Sequence, residues 1–185
     1  MRVNSLTGWA SSGNGVILKS DSYAVCGELQ IGSVHYWPHP PDTAPWWGEG
    51  ATAGAGLHFN PESANFVGSV QINQVTVGGA AIGISVSDEP GFSLADVQIN
   101  AASIEGSAWM SFALRAELSY VDRFHISSLL IRNTVNGVRW NTANASQLGL
   151  GKVEMVNVTS EAVIALGTTR IRIDDLTLLN VAVAY

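Results

Sequence analysis

The chain has 185 residues, 46% of them hydrophobic and 13% charged, with a formal net charge of −6 and a single cysteine, Cys26. That balance suits one ordered, turn-rich domain and excludes a disordered chain. It also argues against a nucleic-acid partner, which needs a basic face, and it leaves no cysteine pair for a disulfide and no apolar run long enough for a membrane span.

The segment Met1–Gly15 lacks the apolar core of a signal peptide, and Val3-Asn4 opens a pattern that then recurs. Leu29-Gln30-Ile31-Gly32 repeats it. Val70-Gln71-Ile72-Asn73, Val97-Gln98-Ile99-Asn100, Phe124-His125-Ile126-Ser127, Val153-Glu154-Met155 and Ile171-Arg172-Ile173-Asp174 follow. Taking the second apolar position of each copy at 3, 31, 72, 99, 126, 155 and 173, the steps are 28, 41, 27, 27, 29 and 18. A period in this range signals stacked repeats. Within each copy apolar and polar residues alternate, which is a strand with one buried face. A small or polar residue then marks a corner: Asn4, Gly32, Asn73, Asn100, Ser127 and Asp174. Stacked rungs place those residues in a ladder.

A further strand follows a glycine at Gly15-Val16, Gly56-Leu57, Gly83-Ile84 and Gly137-Val138, with Phe112-Ala113-Leu114 standing in for it in the fourth rung. Three short strands per turn of about 27 residues predict an all-β parallel solenoid. The chain resembles the right-handed, single-stranded parallel β-helix proteins, the pectate-lyase-like superfamily and bacteriophage tailspikes, over nearly its whole length. On this reading residues 1–185 are a single β-helix domain or a piece of a longer one. Uncovered apolar rungs at both ends and the likeness to tailspikes together imply a homo-oligomer, a trimer.

The second rung is lengthened by an insertion at about 37–55, where Pro and Gly are too dense to continue a strand. It carries Trp37, Trp46 and Trp47, whose indole faces suit stacking on sugar rings and otherwise pack on the coil wall. His35 and His39 stand four residues apart near Asp42. Pro38, Pro40 and Pro41 exclude the helix that would align them, so no metal and no cofactor is assigned. Asn144-Ala-Ser146 and Asn157-Val-Thr159 match the glycosylation acceptor by chance.

The residues between the inward apolar positions of the Gly-led strands face out. They set His58, Ser85, Ala113 and Arg139 in one row and Asn60, Ser87, Arg115 and Asn141 in the next, bordered by Asp88, Glu89 and Glu117. The Trp insertion enters the same strand. In pectate-lyase-like proteins the corresponding sheet and its turns form the carbohydrate groove, so the resemblance implies a polysaccharide partner and an extracellular or virion-associated setting. Trp37, Trp46, Trp47, His58, Arg115 and Arg139 are the candidate binding residues. Asp88 or Glu89 with Glu117 is the candidate catalytic pair, since glycosidases set two carboxyl groups about 5–9 Å apart. A lyase instead sets a base and cations beside a uronate, which His58, Arg115 and Arg139 offer. The paired-Asp signature of polygalacturonases is not found. Two readings stay open: a carbohydrate-binding or polysaccharide-degrading protein, and a non-catalytic spike shaft or adhesion module.

Overall fold

A computed structural model describes residues 1–8, 15–20, 28–36, 54–61, 66–86, 93–106, 110–117, 120–142, 147–167 and 170–182. These residues form strands and turns, with no helix among them. The odd-numbered strands β1 (Arg2–Gly8), β3 (Glu28–Tyr36), β5 (Phe66–Gly78), β7 (Ser93–Glu105), β9 (Tyr120–Arg132), β11 (Gln147–Val156) and β13 (Arg170–Leu179) build one parallel sheet in chain order. The even-numbered strands β2 (Val16–Ser20), β4 (Ala55–Pro61), β6 (Ile82–Val86), β8 (Phe112–Glu117), β10 (Asn136–Thr142) and β12 (Val163–Gly167) build a second. The chain passes from one sheet to the other and back in every rung. The result is the parallel β-solenoid that the repeats predict.

The expected three sheets resolve into two, for a reason visible at the corner. Ile72 and Val75 are both buried, while Asn73 and Gln74 between them are exposed. The same holds for Ile99 and Ala102 around Asn100, and for Ile126 and Leu129 around Ser127. Two outward residues in succession bend the strand while both arms keep facing the core. Pairing resumes one residue past the corner, so the two arms remain one bent sheet. The corner ladder forms as expected: Asn100 Nδ2 donates to Asn73 Oδ1 at 3.0 Å.

The interior row of the first arm runs Val3, Ile31, Ile72, Ile99, Ile126, Leu150 and Ile173. Met155 was expected in that row. It lies instead in the second arm, paired with Ile131 and Leu178, and Leu150 takes the expected place with Gly151 at the corner. The pattern Leu148-Gly149-Leu150-Gly151 hides the rung start, because two glycines replace the polar residues that mark it elsewhere. With Leu150 in place the last steps are even. Asn133 and Asn157 stand 24 apart, and Asn157 and Asn180 stand 23 apart, so the coil shortens gradually.

The core is continuous. Val70, Ile72, Ile84, Val97, Ile99, Leu114, Phe124, Ile126 and Trp140 are each no more than 1% exposed. Phe124 packs edge-on to Phe59 at 5.7 Å and against Trp140 at 5.3 Å, joining the two sheets. The strand-opening glycines have a steric reason. A side chain at Gly83 would meet the Ala113 carbonyl and Ile104 Cγ2. At Gly137 it would meet the Ala162 carbonyl and Met155 Sδ, and at Gly15 the Tyr36 ring. The last inward residue of the bent sheet fills each glycine's place.

Candidate functional site

The outer face of the even-numbered sheet carries the polar row, in a frame one pair different from the expected one. Ala113, fully buried, fills the place that glycine holds in neighbouring rungs. Leu114 therefore pairs with Ile84 and Val138, and Arg115 pairs with Ser85 and Arg139. The row reads Ile17, His58, Ser85, Arg115, Arg139 and Ile164. Arg115 thus takes the place expected of Ala113, and Glu117 the one expected of Arg115 beside Asn141. Glu117 moves out of the turn and into β8, paired with Asn141.

This frame brings three expected residues together. Arg115 Nη2 donates to Glu117 Oε2 at 2.5 Å. Arg139 Nε lies 2.7 Å from Glu117 Oε1 as an ion pair, at an angle that makes no hydrogen bond. The side chains of Arg115 and Glu117 are 19% and 17% exposed, and that of Arg139 is 32% exposed. Both oxygens of Glu117 are thus engaged in a partly buried setting, where removing one partner leaves the other charge uncompensated. Phe112 was not expected at the site. Its ring centroid lies 5.9 Å from the Arg115 guanidinium carbon and 5.5 Å from that of Arg139, a cation–π arrangement that holds both heads in place. The opposite charges at 115 and 117, two apart on one strand face, are the sequence signal that locates the cluster. His58 stands two strands from Arg115, about 10 Å along the row.

Trp37, Trp46, Trp47, Asp88 and Glu89 lie outside the described residues. Their positions in the chain put the Trp insertion between β3 and β4 and the two acids between β6 and β7. His35 falls in β3, and among the described residues no group of three His, Cys, Asp or Glu side chains is placed to hold a metal. No described helix is long and apolar enough to cross a membrane.

The bent sheet holds a second polar face that the sequence reading passed over. Arg2, Gln30, Gln71, Gln98 and His125 stand in one outward row, continued by Gly149 and Arg172. Arg2 Nε donates to Gln30 Oε1 at 2.8 Å, and Gln98 Nε2 donates to Asp96 Oδ2 at 3.1 Å. The signal was present as the repeated Val-Gln-Ile-Asn, whose Gln is outward in every copy.

Comparison of the chain with known protein families, with curated proteins and with solved structures finds no match.

Proposed function

We propose that the protein recognises a polysaccharide on the outer face of its even-numbered sheet. The observation that carries this reading is the Arg115–Glu117–Arg139 cluster around Phe112. It offers fixed planar donors and acceptors beside an aromatic ring, the set that neighbouring sugar hydroxyls and ring C–H faces engage. Trp37, Trp46 and Trp47 enter as stacking residues from the insertion that leads into β4, and His58 extends the row. Cleavage is the narrower form of the proposal, with Glu117 and either Asp88 or Glu89 as acid and base. The engagement of both Glu117 oxygens favours binding over cleavage.

The setting proposed is a tailspike-like or pectate-lyase-like protein, extracellular or on a virion, assembled as a homotrimer. Leu166, Leu176, Leu178 and Leu179 are 39–51% exposed and supply apolar surface for subunit contact. Light scattering at micromolar concentration checks the trimer, and a stable monomer overturns it.

Titration calorimetry against a panel of polysaccharides tests the recognition. Arg139→Ala and Trp46→Ala should each weaken binding several-fold with the unfolding midpoint within a few degrees of the parent chain, as a stacked ring or cation contributes about 1 kcal/mol. Reducing-end release tests cleavage. If it occurs, Glu117→Gln should lower its rate about 100-fold or more while binding persists. A second reading, a spike shaft without a ligand, is favoured by the ion pairs that Glu117 already makes with both Arg115 and Arg139. It predicts that Arg139→Ala lowers stability and alters binding of no glycan.

A further inference from the structure

A groove of about 340 Å³ crosses the outer face of the bent sheet at its last rungs, and cations surround it. Its floor is Gly149, which interrupts the outward row between His125 in β9 and Arg172 in β13. The adjacent outward row supplies Arg123, Gln147 and Arg170. Strands lie about 4.8 Å apart and residues i and i+2 about 7 Å apart. The four residues Arg123, His125, Arg170 and Arg172 therefore stand at the corners of a rectangle about 10 Å by 7 Å, open at its centre because Gly149 has no side chain. The His125 ring leans into that opening: a methyl on Gly149 would lie 2.7 Å from Nδ1.

The charges that line the groove are partly balanced. Arg123 donates from Nε and Nη2 to Asp96 at 3.1 and 3.2 Å. Arg172 donates from Nε to Asp174 at 2.7 Å, which leaves its two terminal nitrogens outside that bond. His125 Nε2 lies 3.3 Å from Ser127 Oγ, so Nδ1 is the nitrogen turned toward the floor. Arg170 has no ion pair among the described residues and brings a full guanidinium fork. Two guanidinium groups with terminal nitrogens outside any ion pair among the described residues and an imidazole line this one groove. Guanidinium forks bind carboxylates and sulfates in two-point contact.

We propose that this groove binds the oxyanion of an acidic sugar, a uronate carboxylate or a sulfate ester. The anion site rests on the groove itself; that a sugar carries the anion rests on the carbohydrate reading above. The sugar ring would lie across Gly149 and Gln147, with the Gln147 amide beside its hydroxyls.

Titration of the intact chain with D-glucuronate, glucose 6-sulfate, inorganic sulfate and neutral glucose, followed at the His125 imidazole resonances by NMR, tests the proposal. One of the two acidic sugars should saturate the shift, the tighter identifying the oxyanion, and glucose should leave it unmoved. Arg170→Ala and Arg172→Ala should each weaken that binding about 5-fold or more. Both side chains are exposed, so folding should persist, checked by circular dichroism. Gly149→Ala, which displaces the His125 ring, should also weaken it. The proposal is overturned if neither acidic sugar saturates, if the double Arg170→Ala, Arg172→Ala variant binds as before, or if Arg132→Ala on the other arm weakens binding equally. It is also overturned if inorganic sulfate binds as tightly as both sugars. Neutral polysaccharide binding lost on Arg139→Ala reports the even-numbered sheet, and acidic-sugar binding lost on Arg170→Ala reports the groove, so either can fail alone.

Discussion

Asn133, Asn157 and Asn180 each hold a left-handed backbone, with φ of 56°, 56° and 54°. Their side chains join in a chain: Asn180 Nδ2 donates to Asn157 Oδ1 and Asn157 Nδ2 to Asn133 Oδ1, both at 2.8 Å. Asn133 Nδ2 ends it on Glu105 Oε1. Asparagine serves here twice, by tolerating positive φ and by passing a hydrogen bond to the next rung. The two contributions separate by substitution. Asn157→Gly should cost only the two side-chain bonds, about 1–2 kcal/mol, while Asn157→Ala adds backbone strain of about 1 kcal/mol. Urea unfolding should rank Asn above Gly above Ala at 157. The reverse order for Gly and Ala would remove the backbone argument. Tyr36 is a second residue whose burial is functional for stability. At 1% exposure its phenol is pushed above the ordinary value of 10.0 by desolvation. The folded state then holds the phenolic proton more tightly than the unfolded chain does. Its contribution is fully present below pH of about 10 and lost as pH rises toward the folded value. Tyr36→Phe should flatten the fall in the unfolding midpoint between pH 9 and 11, and an unchanged slope would count against it.

The strands that read most clearly in the sequence are those whose outward residues are polar. Val70–Asn73 and Val97–Asn100 alternate without interruption, and the structure pairs them in the expected register. Legibility fails where a residue's size, rather than its polarity, sets the frame. Ala113 takes a glycine's place and moves Arg115 and Glu117 by one pair, and Gly149 and Gly151 conceal the rung that begins at Leu148. Alternation alone reveals neither, because a small residue carries no polarity to mark its face: at Gly149 the neighbouring His125 ring takes the space, and at Gly151 the Ser127 carbonyl does. The catalytic pair proposed with Asp88 or Glu89 depends on turns that no periodicity constrains. Stability is concentrated in the interior rows. Ile99 is fully buried between Ile72 and Ile126, so Ile99→Asp places an unpaired charge where no partner reaches. Against a total stability of about 5–15 kcal/mol, that variant should not fold, with loss of the β signal in far-ultraviolet circular dichroism. Ile99→Ala should fold with a loss of about 2–5 kcal/mol.

In the molecule as a whole, the two sheets treat length differently. In the bent sheet the inward residues keep one spacing in the rungs that start at Val70, Val97, Phe124 and Leu148: two residues along an arm, three across the corner. Apart from one extra residue in β5 between Phe66 and Ser69, ahead of Val70, the changes in rung length fall in the connections on either side of the even-numbered sheet, including the Trp insertion between β3 and β4. The sheet that hosts the Arg115–Glu117–Arg139 cluster is thus the one bordered by connections of unequal size. An interior of this kind is stabilised rung by rung through neighbours alone. The bent sheet therefore acts as a screw thread for the gene. Insertions and deletions of arbitrary size are absorbed at the two borders, whereas along the thread only whole turns can be added or cut. Excising residues 71–97, one turn, leaves Val70 running into Gln98 and Ile99 with every inward position preserved. That shortened chain should unfold cooperatively in urea, and excising 72–97 instead should give a chain that does not, because a one-residue slip sends each apolar side chain to the wrong face.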